Sequence, residues 1–108
     1  MKRIALQHFH QPPLRLNCAQ AVLAAYQETT GDTSMSLPSF QAYGGGRAPQ
    51  GLCGAVHAAA LTRPALAEAI KAEFLARTGA LGCRELKARG VSCKACVELA
   101  AEILQQRC

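Results

Sequence analysis

Cysteine is the residue of this chain whose type and spacing permit the most specific chemistry. The 108-residue sequence contains six cysteines, and four of them share one local setting. Each of the four begins a predicted helix: Cys18 after Asn17, Cys53 after Gly51-Leu52, Cys83 after Gly82 and Cys93 after Ser92. A helix start presents unpaired N–H groups and the positive end of the dipole, and both favour the thiolate. We therefore expect the four helix starts to point at one four-cysteine centre.

Such a centre suits three kinds of chemistry. Four thiolates can bind an iron–sulfur cluster or zinc, and two dithiols can cycle to disulfides. Cys96 adds a Cys-x-x-Cys motif with Cys93 on one helical face. No βαβ pattern supports a thioredoxin fold and no second copy of the motif supports a zinc ribbon, so the residues alone leave these alternatives open.

Cys53 follows the most flexible stretch of the chain, a loop that contains three consecutive glycines, Gly44 to Gly46. The small Gly54 and Ala55 follow it, so we expect nothing bulky to screen its sulfur. Arg47 lies in the same loop and would add positive charge. We predict that Cys53 is the most reactive or most strongly ligating thiol, with a pKa below the free value of about 8.5.

Other chemistries fit the sequence less well. The Gly44–Arg47 segment lacks the strand and the Gly-Lys-Ser/Thr ending of a phosphate-binding loop. Cys53 and His57 share a helical face, but no orienting Asp or Asn follows from the sequence. His8 and His10 near the chain start are expected to be solvated.

Composition indicates one all-α domain. Half of the residues are hydrophobic but only 5% are aromatic, so Ala, Leu and Val must form closely packed helices. The net charge of +5 is scattered, and five aromatic residues without Trp do not form a stacking platform for nucleic acid. No stretch is long enough to span a bilayer. We expect a cytoplasmic protein whose cysteines bind metal or undergo redox chemistry.

Turn and capping signals divide the chain into about five helices. Residues 1–15 are expected to be a loosely ordered segment, and residues 16–108 a single helical four-cysteine domain. Asn17 is a predicted N-cap, and Gly31 a predicted helix stop. The expected helices and the short apolar turn run as follows: a helix to about Thr29, the turn Leu37 to Tyr43, then helices from about Leu52 to Leu61, from Pro64, from Cys83 to about Arg89, and from Cys93 to about Gln106.

The order of the cysteine motifs resembles the C_GCAxxG_C_C family of redox-active proteins. The resemblance covers about Leu16 to Gln105 and rests on Asn17-Cys18-Ala19-Gln20-Ala21-Val22, Cys53-Gly54-Ala55-Val56-His57-Ala58, Cys83-Arg84-Glu85-Leu86 and Cys93-x-x-x-Val97. It maps the four cysteines of the family onto Cys18, Cys53, Cys83 and Cys93. Cys96 and Cys108 fall outside the pattern, and the closing glycine of the family's motif is Ala58 here.

The resemblance implies a redox-active role for these four cysteines, as thiols or as ligands of a [2Fe-2S] cluster. A related domain in a multihaem cytochrome is associated with a two-iron cluster. Zinc, or no metal, is the alternative cofactor state, and the chain has no Cys-x-x-Cys-His motif for covalent haem. We expect Cys96 and Cys108 to be dispensable, and a redox partner protein without nucleic-acid binding or membrane insertion. Enzymatic activity and a homo-oligomer are left open.

Overall fold

Six α-helices form the described part of the chain, which in this computed structural model comprises residues 1–12, 14–44 and 46–107. They are α1 Lys2–His8, α2 Cys18–Thr30, α3 Gly54–Thr62, α4 Ala67–Thr78, α5 Cys83–Ala88 and α6 Cys93–Arg107. Three short 3-10 segments accompany them: Leu37–Tyr43, Pro49–Gly51 and Pro64–Leu66. The described residues contain no strand, and the predicted all-α class is confirmed, with one helix more than expected.

Helix α2 begins and ends where its capping residues predict. The Asn17 side chain accepts a hydrogen bond from the Gln20 backbone N–H at 2.8 Å, and the Gln20 side chain accepts one from the Asn17 N–H. This capping box satisfies two N–H groups that the first turn leaves unpaired. Gly31 ends the helix in the left-handed conformation with φ of 77°, which glycine adopts without steric cost.

The core lies between α2, α3 and α6, which pack against one another. Helix α3 is buried on nearly all sides because its residues are almost all small or apolar. Helices α4 and α6 are also joined at the surface, where Glu73 accepts from Arg77 and from Arg107 at 2.7 Å each. No helix within residues 1–12, 14–44 and 46–107 has the length and apolar character required to cross a membrane.

The chain start differs from the expectation of a loosely ordered segment over residues 1–15. Helix α1 packs against α2 and α6, and its Ala5 is fully buried. The Met1 amino group also donates to the Gln105 side chain at 2.6 Å. Short helices are marginal alone, so these tertiary contacts supply the stability that the local sequence does not. Pro13 lies outside the described residues.

The loop before α3 and the loop before α5 are joined by backbone hydrogen bonding. Leu52 and Gly82 form an isolated antiparallel bridge, and the Cys53 N–H donates to the Leu81 carbonyl at 2.8 Å. A cysteine immediately follows each partner of this bridge. The bridge therefore places Cys53 and Cys83 beside each other, although 29 residues lie between them in the chain.

A candidate thiol centre at the helix starts

Five cysteines surround one small cavity of about 20 Å³. Its lining consists of Cys18, Cys53, Gly54, Cys83, Leu86, Lys87, Val91, Cys93 and Cys96. The predicted convergence of Cys18, Cys53, Cys83 and Cys93 is confirmed. A space of this volume holds about one water molecule, so the side chains around it lie close together.

Each of the four predicted cysteines stands at the start of a helix. Cys18, Cys83 and Cys93 are the first residues of α2, α5 and α6, and Cys53 is the N-cap residue of α3. The helix predicted from about Leu52 thus begins two residues later, at Gly54. The result is four helix ends directed at one cavity.

Two glycines allow the chain to close around the sulfurs. A Cβ on Gly54 would lie 2.5 Å from the Tyr43 carbonyl oxygen and 2.8 Å from the Cys18 sulfur. A Cβ on Gly46 would lie 3.3 Å from the Cys83 Cβ, and Gly46 has a φ of 81°. The glycine loop is therefore needed for close approach to the cysteines. Gly45 lies outside the described residues.

Cys96 was expected to lie outside the four-cysteine centre, but it lines the cavity of that centre. It is 3% exposed, lines the cavity, and its side chain is hydrogen-bonded to that of Cys53. The Cys93-x-x-Cys96 spacing contained the signal, because residues three apart share a helix face. Cys108 lies outside the described residues.

The hydrogen bond makes Cys53 and Cys96 chemically unequal. It lowers the pKa of Cys53 to about 7, against the opposing effect of burial, and the N–H groups of Val56 and Ala55 lower it further. The pKa of Cys96 is raised well above its ordinary value, first by the same hydrogen bond, then by burial and by the charges of Cys53, Cys93 and Cys18. These shifts favour the thiolate on Cys53 and the thiol on Cys96.

The pKa of Cys53 is lowered, as expected, but its sulfur is buried and Arg47 does not line the cavity. Cys53 is only 4% exposed, whereas Cys83 and Cys93 are half-buried. Arg47 does not line the cavity, and its side chain donates to the Gly44 and Gln41 carbonyls at 2.9 and 3.2 Å. The most acidic thiol of the pair is thus screened from solvent, and its acidity comes mainly from Cys96.

The histidines lie outside the centre. His57 packs edge-on against Tyr43, with ring centroids 4.7 Å apart, and burial lowers its pKa first, followed by the charge of Lys71. The His8 Nε2 atom lies 2.6 Å from Glu28 Oε2, and the His10 ring stacks on the Phe9 ring. His57 therefore does not serve as the base of a Cys–His pair in this arrangement.

The sequence predicts a metal centre on Cys18, Cys53, Cys83 and Cys93. Thiolates are chemically suited to zinc and iron–sulfur clusters. Across the described ranges, however, no group of three or more His, Cys, Asp or Glu side chains is placed to hold a metal ion. A [2Fe-2S] cluster or zinc on these four cysteines stays a prediction.

Comparison with known proteins adds no relative. No protein-family model matches the chain, and no curated protein or solved structure matches it significantly. The resemblance to the C_GCAxxG_C_C family therefore rests on the motifs of the sequence, and the function must be argued from the cavity itself.

Proposed function

We propose that the protein is a thiol–disulfide redox protein whose electrons are held by Cys53 and Cys96. The observation that supports this most is the hydrogen bond between their side chains, with the pKa of Cys53 lowered and that of Cys96 raised. A thiolate and a thiol in contact are the reduced form of a dithiol couple. A cytoplasmic location, where thiols are kept reduced, suits this proposal.

The unequal pKa values assign the two sulfurs their order of reaction. Within the pair, Cys53 is the attacking thiolate: it forms a bond to one sulfur of a disulfide presented at the cavity, and the other sulfur of that disulfide leaves as a thiolate. Its negative charge is lost in this step, and with it one cause of the raised pKa of Cys96. Cys96 then gives its proton to the released thiolate and attacks the Cys53 sulfur. The bond between Cys53 and the second substrate sulfur breaks, and that sulfur leaves as a thiolate. The sum is two thiols oxidised to one disulfide and one disulfide reduced to two thiols.

A metal–thiolate centre is the second candidate, because five sulfurs around one cavity form a soft donor set. It corresponds to the electron-transfer role through a [2Fe-2S] cluster, or to a structural zinc module, that the sequence suggested for Cys18, Cys53, Cys83 and Cys93. Either state requires the cysteine side chains to leave the arrangement described above.

One preparation distinguishes the two candidates. Protein purified anaerobically is analysed for iron, zinc and acid-labile sulfide, then stripped of any metal and oxidised in glutathione redox buffers. We expect no stoichiometric metal and one disulfide, which peptide mapping assigns to Cys53 and Cys96. Stoichiometric iron with acid-labile sulfide would establish the second candidate. Stoichiometric zinc that is released only when the protein unfolds would also establish it. A disulfide that excludes Cys53 or Cys96 would contradict the first.

A further inference from the structure

Cys83 lies between the buried cavity and a larger surface cleft. The cleft has a volume of about 570 Å³ and is lined by Gly46, Gln50, Gly51, Gly82, Cys83, Arg84, Glu85 and Lys87. Cys83 and Lys87 line both spaces. Sites for small molecules have volumes of roughly 300–1,000 Å³, so the cleft, unlike the cavity, can receive one.

Burial prevents Cys53 and Cys96 from meeting an external disulfide directly. The two residues are 4% and 3% exposed, whereas Cys83 is half-buried and faces the cleft. The bridge between Leu52 and Gly82 holds Cys83 next to Cys53. Cys83 is therefore placed to contact both an occupant of the cleft and the buried pair.

The charges of the cleft indicate which occupant it favours. Two cations, Arg84 and Lys87, and one anion, Glu85, line it. Among the ion pairs of the described residues, neither Arg84 nor Lys87 takes part in one. Arginine and lysine that are not neutralised within the protein attract carboxylates.

We propose that the cleft binds small disulfides that carry carboxylates, and that Cys83 passes their oxidising equivalents to Cys53 and Cys96. This inference rests on the proposed function of the buried pair. It adds an entry site, a substrate class and a third reacting sulfur that the pair alone does not provide.

Three exchanges complete the reaction. The Cys83 thiolate attacks the substrate disulfide, forms a mixed disulfide and releases one substrate thiolate. The Cys53 thiolate attacks the Cys83 sulfur, forms a Cys53–Cys83 disulfide and releases the second substrate thiolate. Cys96 attacks the Cys53 sulfur and releases Cys83 as a thiolate. Two electrons pass to the substrate, the Cys96 proton ends on one of its two sulfurs, the other sulfur leaves as a thiolate that takes a proton from solvent, and Cys83 is regenerated as a thiolate.

The test measures how fast reduced protein is oxidised by glutathione disulfide, which carries carboxylates, and by diamide, a small oxidant of thiols. Cys83→Ser should slow oxidation by glutathione disulfide by at least about tenfold and still form the Cys53–Cys96 disulfide with diamide. Unchanged oxidation by glutathione disulfide would overturn the inference. Failure of the wild type to form the Cys53–Cys96 disulfide with diamide would instead overturn the proposed function.

Trapped intermediates test the order of the exchanges. Cys53→Ser should stop with glutathione bound to Cys83, and Cys96→Ser should stop at a Cys53–Cys83 disulfide, both identified by peptide mapping. Cys93 is the matched comparison, since it also begins a helix and lines the cavity but does not line the cleft. If Cys93→Ser lost the reaction with glutathione disulfide and Cys83→Ser kept it, Cys93 would be the entry thiol and the inference would be wrong.

The substrate class has its own comparison. Arg84→Ala and Lys87→Ala should each slow the oxidation of the reduced protein by glutathione disulfide about threefold or more. Each should leave the rate of oxidation by the neutral 2-hydroxyethyl disulfide within about twofold of the wild-type rate. Arg89→Ala is the control, because Arg89 lies beside Gly79 and outside the cleft. Equal effects on both disulfides would contradict charge recognition in the cleft.

Discussion

The sulfur of Cys18 occupies the space that a side chain on residue 54 would need. A methyl group there would lie 2.8 Å from this sulfur and 2.5 Å from the Tyr43 carbonyl oxygen. Both distances are far below van der Waals contact, and the carbonyl belongs to the backbone and cannot rotate away. Gly54 therefore allows α2 and α3 to bring Cys18 and Cys53 to one cavity.

Gly54→Ala should destabilise the fold, because the added methyl group overpacks a buried contact. We expect a loss of about 1–3 kcal/mol in the free energy of unfolding, measured by urea denaturation of reduced protein. The double variant Cys18→Ala with Gly54→Ala should recover part of the loss, since only the carbonyl contact remains. A double variant no more stable than the sum of the two single losses would show that the sulfur is not the limiting contact.

Replacing Cys96 should raise the pKa of Cys53 from about 7 towards or beyond 9.0, because the largest cause of its lowering is the hydrogen bond from Cys96. The pKa is measured from the Cys53 Cβ chemical shift by NMR over a range of pH in Cys96→Ala. His57→Gln is the control and should leave the pKa unchanged, since His57 faces Tyr43. An unchanged pKa in Cys96→Ala would assign the shift to the N–H groups of α3 alone.

Oxidation of Cys53 and Cys96 should stabilise the protein. The disulfide would close a loop of about 44 residues, for which the loss of chain entropy predicts about 4 kcal/mol. The measurement compares urea unfolding of the oxidised and reduced forms of one sample. Cys96→Ala is the control and should unfold identically under both conditions. A less stable oxidised form would mean that bond formation distorts the cavity.

Asn17 has two separable functions. Its side-chain oxygen caps α2, and its side-chain N–H donates to the Gln41 carbonyl at 3.0 Å. Asn17→Ala should remove both and cost about 1 kcal/mol or more in unfolding free energy. Asn17→Asp keeps the cap and loses the donor, so it should be the less destabilised variant. Equal losses of unfolding free energy in the two variants would indicate that the hydrogen bond to the Gln41 carbonyl contributes most of the stabilisation.

Local signals predict much of this fold because caps and glycines act within a few residues. Asn17 and Gly31 set the ends of α2, and Cys83 and Cys93 begin their helices as expected. Helix α1 could not be predicted, since its stability comes from contacts with α2 and α6 that no local pattern encodes. Cys96 was expected to be dispensable because the family pattern omits it, whereas its interaction with Cys53 joins residues that are far apart in the chain.

If Cys53 and Cys96 form the proposed redox couple, their unequal pKa values also determine how many protons accompany the two electrons. Below pH 7, where Cys53 is a thiol, reduction of the disulfide takes up two protons. Above pH 7 it takes up one, because Cys53 remains a thiolate and Cys96 alone is protonated. The midpoint potential should then fall by about 59 mV per pH unit on the acid side and by about 30 mV on the alkaline side. The couple thus becomes less sensitive to pH across neutrality.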